Sequence, residues 1–411
     1  MSDNTKASLD TAFKYVQENK LKYLNSNSAI LLNMVPMKDA DILGRKFLLP
    51  VALTYELGYT FGDGTVFQLN DSLAAVYEEI DVDPTPVCLR TRVSLSAANR
   101  WKAGSSKSVI NNVAIRAGQM KKSLQKIAEI CMLHGRTGIG AVEAVSDSSG
   151  TNVLTITDAT WSSGIFAGMV GMKLDAYTST NKQNTNAALV ISVVNHDEMK
   201  ITVTGNSTDT AAIDVGSVLY PYGAYGADQY GIKYQLDTSG TIFGIANSTY
   251  DLWKACEHNV GGAISMSELL QGQAKAVNRG GLEEDVIVLM SPSNWEALNS
   301  DLSALRDFDG SYKVSKGENG FNAITYHGQA GKIDLISHPY MMDGDAFSMP
   351  KSCLRRVGAS DIDFMKDEDG GYWRSLDVAG YAGYQATCQY EMQLVITEPA
   401  KCVYYYGITL A

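Results

Sequence analysis

The chain has 411 residues and a mass of 44.5 kDa, with 45% hydrophobic and 19% charged residues, enough for a substantial core in two or three structural units. Lys and Arg number 34 against 45 Asp and Glu, a formal net charge of −11, which excludes a protein that neutralises nucleic acid over its whole surface. Glycine, proline and tyrosine contents (37, 9 and 22) with a mean hydropathy of −0.10 exclude disordered and collagen-like classes.

At the start, Leu9, Ala12, Phe13 and Val16 recur at helical spacing, so Ser8 to Lys20 is expected to form a short amphipathic helix, interrupted at Asn25-Ser26-Asn27-Ser28. Lys6, Lys14, Lys20 and Lys22 fall there without an apolar block of signal length, so signal-directed export is not expected. No run of about 18 apolar residues occurs anywhere, so no spanning helix is expected either.

Phe47 to Arg100 reads as extended. Gly62-Asp63-Gly64 sits between Tyr59-Thr60-Phe61 and Thr65-Val66-Phe67 as a hairpin turn, and Pro84 and Pro86 forbid a continuing helix. The reading is a long two-stranded excursion with little apolar mass of its own. Residues 51–100 hold seven acids and three arginines, whereas residues 101–140 hold seven bases and one acid, which places a boundary near Trp101.

The strongest periodicity follows. Ile110, Val113, Ala117, Met120, Leu124, Ile127 and Cys131 alternate steps of three and four; serines at 105, 106 and 108 offer caps and Gly135 a stop, so one helix is predicted from about Ser108 to His134. Strands are then predicted at 153–157, 172–177, 189–194, 199–204 and 215–220, making 141–228 a small all-β domain, barrel or sandwich. Helical pattern resumes at Tyr250 to Glu257 and Ser265 to Asn278. Val286 to Met290 reads as a buried strand, and Ser291-Pro292 opens a helix with Trp295, Leu298, Leu302 and Leu305 on one face. Further strands are expected at Lys332 to Ser337 and Gln393 to Thr397.

No motif carries catalysis. Gly261 and Gly262 frame no G-x-S-x-G serine, and the five histidines (134, 196, 258, 327, 338) show no i, i+4 pair, so core or surface roles are expected for them. Ala103 to Ser108 lacks the glycines of a phosphate loop, and Gly135 to Gly140 closes a helix where a dinucleotide loop would open one. Asp307, Asp309, Ser311, Ser315 and Glu318 have calcium-loop spacing, but Tyr312 stands where the turn needs glycine. Asp367-Glu368-Asp369 reads as a solvated turn, and Lys121, Lys122 and Lys126 as the polar face of the long helix. Six scattered cysteines, without C-x-x-C, read as free thiols in a reducing compartment. No catalytic residue, cofactor or metal is expected.

The order of these parts resembles the major capsid proteins of tailed double-stranded DNA bacteriophages, of Hong Kong 97-like fold. Local texture carries it too: Gly44-Arg45-Lys46-Phe47-Leu48-Leu49-Pro50, Asn278-Arg279-Gly280-Gly281, Met290-Ser291-Pro292-Ser293-Asn294-Trp295, and Gly331-Lys332-Ile333-Asp334-Leu335-Ile336-Ser337-His338-Pro339. The resemblance implies an α+β fold with an N-terminal arm (1–46), an extended E-loop (47–107), the spine helix of a P domain (108–140), an inserted β domain (141–228), a P-domain continuation (229–284), an A domain (285–385) and P-domain return strands (386–411). It implies self-assembly into pentamers and hexamers of an icosahedral head, built in the bacterial cytoplasm and ending in the virion. Scaffold, portal and decoration proteins are the further partners, with weak, non-specific contact to packaged DNA and none to membrane. Phe61, Asp63, Gly64 and Phe67 at the E-loop tip are the expected subunit contacts. An E-loop lysine that could form an isopeptide bond is absent, since residues 47–101 contain no lysine. With about 46 residues before the E-loop, cleavage of a long scaffold segment from this chain is not expected. Two alternatives are an encapsulin-type compartment shell, which the length and β insertion disfavour, and a β-rich binding protein.

Overall fold

The structure, a computed structural model, describes residues 29–37, 46–94, 112–148, 150–300, 323–366, 371–375 and 383–409. The helix expected at 8–20, the boundary at Trp101, the run 103–108, the calcium-like spacing at 307–318 and the acidic turn 367–369 lie outside the described residues. Two compact units divide the chain: described parts of 88–124 and 363–388 make one, and the remainder makes the other.

After a single helical turn, α1 (Ile30–Met34), β1 (Phe47–Ala52) pairs antiparallel with β2 (Tyr77–Val82), Phe47 opposite Val82. Pro84 has no N–H to continue the ladder, and the chain turns into β3 (Thr85–Ser94), which pairs with a different strand. The excursion expected over 47–107 therefore ends its pairing at Val82.

The spine helix α2 is described from Asn112 to His134. Met120, Leu124 and Cys131 are buried as the stripe predicts, but beyond Gln125 nearly every position is enclosed, Glu129 and His134 included. Lys126, expected on the polar face, is a correction: it is buried and donates to the Ala167 carbonyl at 2.6 Å, because a loop of the following domain lies over that side.

That domain contains β4 (Gly140–Ser148), β5 (Thr151–Ile156), β6 (Lys173–Thr178), β7 (Asn181–Lys182), β8 (Leu189–Asn195), β9 (Lys200–Thr204) and β10 (Val218–Pro221). All neighbours pair antiparallel, and β10 pairs with both β4 and β6, so six strands close into a barrel with β7 beside β6. Closure leaves no free edge among those six. Alternate residues such as Leu154, Ile156, Ile201 and Val203 fill the interior.

Past the short ribbon of β11 (Thr241–Ile242) and β12 (Ile245–Ala246), the segment expected to be helical at 250–257 is instead a 3-10 turn, Asp251–Trp253, leading into β13 (Cys256–Gly262). Burial of Trp253 and the parallel pairing of β13 with β21 (Val403–Ile408) override the local pattern. Helix α3 (Met266–Gly280) is capped as its sequence dictates: Ser265 accepts from the Glu268 amide, and Gly281 closes it at φ 62°. β14 (Val286–Met290), buried throughout, lies between β16 (Lys332–Ser337), parallel, and β17 (Ala346–Pro350), antiparallel, with β15 (Ala323–His327) at the edge. α4 (Pro292–Ser300) follows β14.

The six-stranded order β13-β21-β17-β14-β16-β15 gathers residues 256–262 and 403–408 with 286–350 in one sheet. A further sheet has β18 (Leu354–Phe364), β20 (Gly383–Ile396) and β19 (Arg374–Ser375) in that order, with β3 also on β20. Gly358 of β18 is required there, since a Cβ would stand 2.1 Å from the Glu391 carbonyl oxygen.

Candidate assembly surface

The strap between β1 and β2 begins in a core. Phe47, Leu53, Ile80 and Val82 are buried with Phe243, Trp253, Val357 and Val395, and the Arg355 guanidinium lies 4.7 Å from the centre of the Phe47 ring. The sequence reading missed this root, although Phe47, Ile80 and Val82 were there to be read as inward-facing positions of paired strands.

Beyond Leu53 the character reverses. Ten large apolar residues between Tyr55 and Tyr77 are exposed, among them Phe61 at 93% and Val66 at 103%. The predicted ladder at 59–61 and 65–67 does not form; one bridge, Leu57 with Leu73, joins the two arms. The Leu53 amide also donates to the Val76 carbonyl at 2.9 Å, and side chains supply further links. Thr54 and Thr60 hydroxyls accept from the Val76 and Asn70 amides at 2.8 Å, and the Asn70 side chain donates to the Tyr59 carbonyl at 2.8 Å.

At the tip, Asp63 accepts from the Thr65 hydroxyl at 2.6 Å and from its amide at 3.0 Å, hydrogen bonds that hold the carboxyl below the usual carboxylate range. Gly64 takes φ 92°, a conformation that a side chain rarely adopts. Phe67 packs across Gly62, where a Cβ would meet its ring at 2.2 Å, while Phe61 points away uncovered. Of the four expected contact residues, the structure thus places all at one turn: two shape it, Phe67 half-covers it and Phe61 is bare.

Three of the five histidines have structural hydrogen-bond partners. His134 meets the Tyr340 carbonyl at 2.8 Å, His258 meets Glu268 at 2.5 Å, and His338 meets Glu129 at 3.1 Å with both side chains fully buried. Glu129 also accepts the Leu31 and Leu32 amides at 3.2 and 2.8 Å, anchoring α1 to the spine helix, a contact with no sequence signal. Among the described residues, no group of three or more His, Cys, Asp or Glu is arranged to hold a metal ion.

The chain aligns with the chain of the cyanophage A-1(L) capsid asymmetric unit over 99% of its own length and 100% of the other, at 11% identity and a TM-score of 0.58. It is the Hong Kong 97-like capsid fold. The capsid of a native GTA particle matches at 8% identity, a TM-score of 0.54, and 99% and 100% coverage; the empty GTA capsid gives 0.51 with the same identity and coverage. No family model and no curated protein matches the chain. At such identities it is the capsid fold that is shared, in a chain that is α+β and mostly strand.

Proposed function

We propose that this chain is a structural, non-enzymatic major capsid protein of a tailed double-stranded DNA phage, assembling through pentamers and hexamers into an icosahedral head. The observation that carries the reading is the strap: ten exposed large apolar side chains on a segment rooted in the core of a capsid fold. Two strands without a core are marginal alone, and so large an apolar surface calls for a cover. A second copy is the cover that the fold's likeness to shell-forming chains supports. Repeated head-to-tail, that contact closes into rings.

In this reading the E-loop is 47–87, the spine helix is α2, and the barrel over about 141–228 is the insertion. The A domain is the six-stranded sheet with α3 and α4, and the P domain combines α2 with the β18–β20 ribbon. Scaffold, portal and decoration proteins are further partners, packaged DNA is contacted weakly, and the product resides in the virion after assembly in the bacterial cytoplasm. Subunits are held without E-loop isopeptide bonds, since 47–101 contain no lysine. Expression in bacteria with light scattering of the purified product tests the reading. Megadalton particles that give one band near 44.5 kDa after boiling in detergent are expected; a monomer at all concentrations, even with a scaffold supplied, contradicts it.

A further inference from the structure

Two cysteines far apart in sequence meet at one end of a strand pair. β17 and β21 run antiparallel, and their pairing ends with Ser348 opposite Val403. Just beyond that end, the chain leaves β17 through the 3-10 turn Lys351–Cys353 and enters β21 from the 3-10 turn Pro399–Lys401. The two turns are fastened together. The Thr397 amide and hydroxyl donate to the Cys353 carbonyl at 2.9 and 3.2 Å, and one carboxylate, Glu284, accepts from the Ser352 hydroxyl and, at 3.3 Å, from the Lys401 ammonium. A single group thus holds the residue before Cys353 and the residue before Cys402.

Between the turns both thiols are wholly buried, and the Cys402 thiol donates to the Cys353 sulfur, its one hydrogen shared with the Glu398 carbonyl 3.6 Å away. That bond from Cys402 outweighs burial and holds the Cys353 thiol below its ordinary range, while the same bond, reinforced by burial, pushes the Cys402 thiol well above it. Cys353 is therefore the first of the two to become a thiolate, the form that reacts. The cover over the pair is thin, since Ser352 and Glu398 on the turns are exposed. Cys256, also nearby, is engaged elsewhere: its thiol donates to the Ala400 carbonyl at 3.6 Å.

We infer that Cys353 and Cys402 are a redox pair that a peroxide closes into a disulfide, stapling the start of β18 at Leu354 to the start of β21 at Val403. The Cys353 thiolate attacks one peroxide oxygen, the O–O bond breaks, and hydroxide leaves as Cys353 becomes a sulfenic acid. The Cys402 sulfur then attacks the Cys353 sulfur; the S–S bond forms, and the departing hydroxide takes the Cys402 proton as water. Each bond consumes one hydrogen peroxide and, with the proton already lost by Cys353, yields two waters. Reducing surroundings keep the pair open and oxidising ones close it. The bond lies within one chain, so it stands apart from the capsid reading.

The full chain, treated with hydrogen peroxide and with a reductant in parallel, supplies the test. Peptide mapping under non-reducing conditions should find Cys353 joined to Cys402 after peroxide, with both thiol hydrogens lost, and the reductant should reverse it. A closed loop of about 50 residues should raise the melting temperature by about 5 °C. Cys353→Ser and Cys402→Ser should each abolish the link and the shift, whereas Cys88→Ser, at an exposed thiol, should keep both. The order of attack has its own readout: in Cys402→Ser, dimedone should trap a sulfenic acid at Cys353, and in Cys353→Ser it should leave Cys402 unlabelled. Peroxide that leaves both thiols free, that over-oxidises Cys353 without a link, or that joins Cys402 to Cys256 overturns the inference; because the mapping is made on the wild-type chain, a variant that misfolds does not shield it.

Discussion

Phe61 is 93% exposed and Phe67 half so, and each ring is worth about 2 kcal/mol when fully buried. Since neither contributes to the subunit core, replacing both by serine should leave the melting temperature within about 2 °C and raise the assembly threshold at least tenfold. A double variant that unfolds as an isolated subunit would place these rings in a core. Asp228 offers a residue-scale test of the interior. Burial pushes its carboxyl up to about 7 against the opposing Arg136 amide and guanidinium, and its Oδ1 has no partner. A carboxyl whose folded value is raised stabilises the fold below its unfolded value near 4, and that contribution is lost as pH rises to about 7. Asp228→Asn should therefore be more stable than the wild type at pH 8, by up to about 4 kcal/mol, with the gap closing towards pH 4. Urea unfolding at both pH values checks this, and an equal difference at each would contradict it. His134, pushed down to about 4 chiefly by burial, works in the opposite sense and penalises the fold as pH falls below its ordinary range.

At the scale of elements, the strap has two parts with different duties. Residues 54–76 add one bridge, one backbone hydrogen bond from Leu53 to Val76 and almost no buried apolar area, whereas Ile80 and Val82 are fully buried in the core that holds Trp253. Replacing 54–76 by a short Gly/Ser linker should keep the cooperative melt and abolish assembly. Ile80→Ala should cost about 2–5 kcal/mol in urea unfolding and lower assembly only through loss of folded subunit. If the linker variant melts non-cooperatively, the distal strap belongs to the fold. The split also explains what the sequence could disclose. The tip was legible because Gly62-Asp63-Gly64 encodes a turn locally, and α3 because Ser265, Glu268 and Gly281 encode its two ends. The turn at 251–253 was misread because what decides it is the parallel pairing of β13 with β21, nearly 150 residues away in sequence, which no local pattern reports.

For the whole molecule, chain order alone disclosed the succession of extended strap, long helix, β domain and mixed sheet, because each keeps its own periodicity and composition. It did not disclose that β21 returns to the sheet of β14 and β17, that β10 closes the barrel, or that Glu129 holds α1; each depends on long-range contact between segments that look ordinary alone. Nor could it reveal the root of the strap, whose buried residues tie the exposed part to the core. The central claim is that a second copy covers that exposed part. An electron-microscopy reconstruction of the expressed full-length chain tests it most directly. The account predicts rings of five and six subunits in a closed shell, with residues 54–76 of each lying against its neighbour and Phe61 buried there. A shell in which those residues remain in solvent, or a product that never exceeds a monomer, would contradict it.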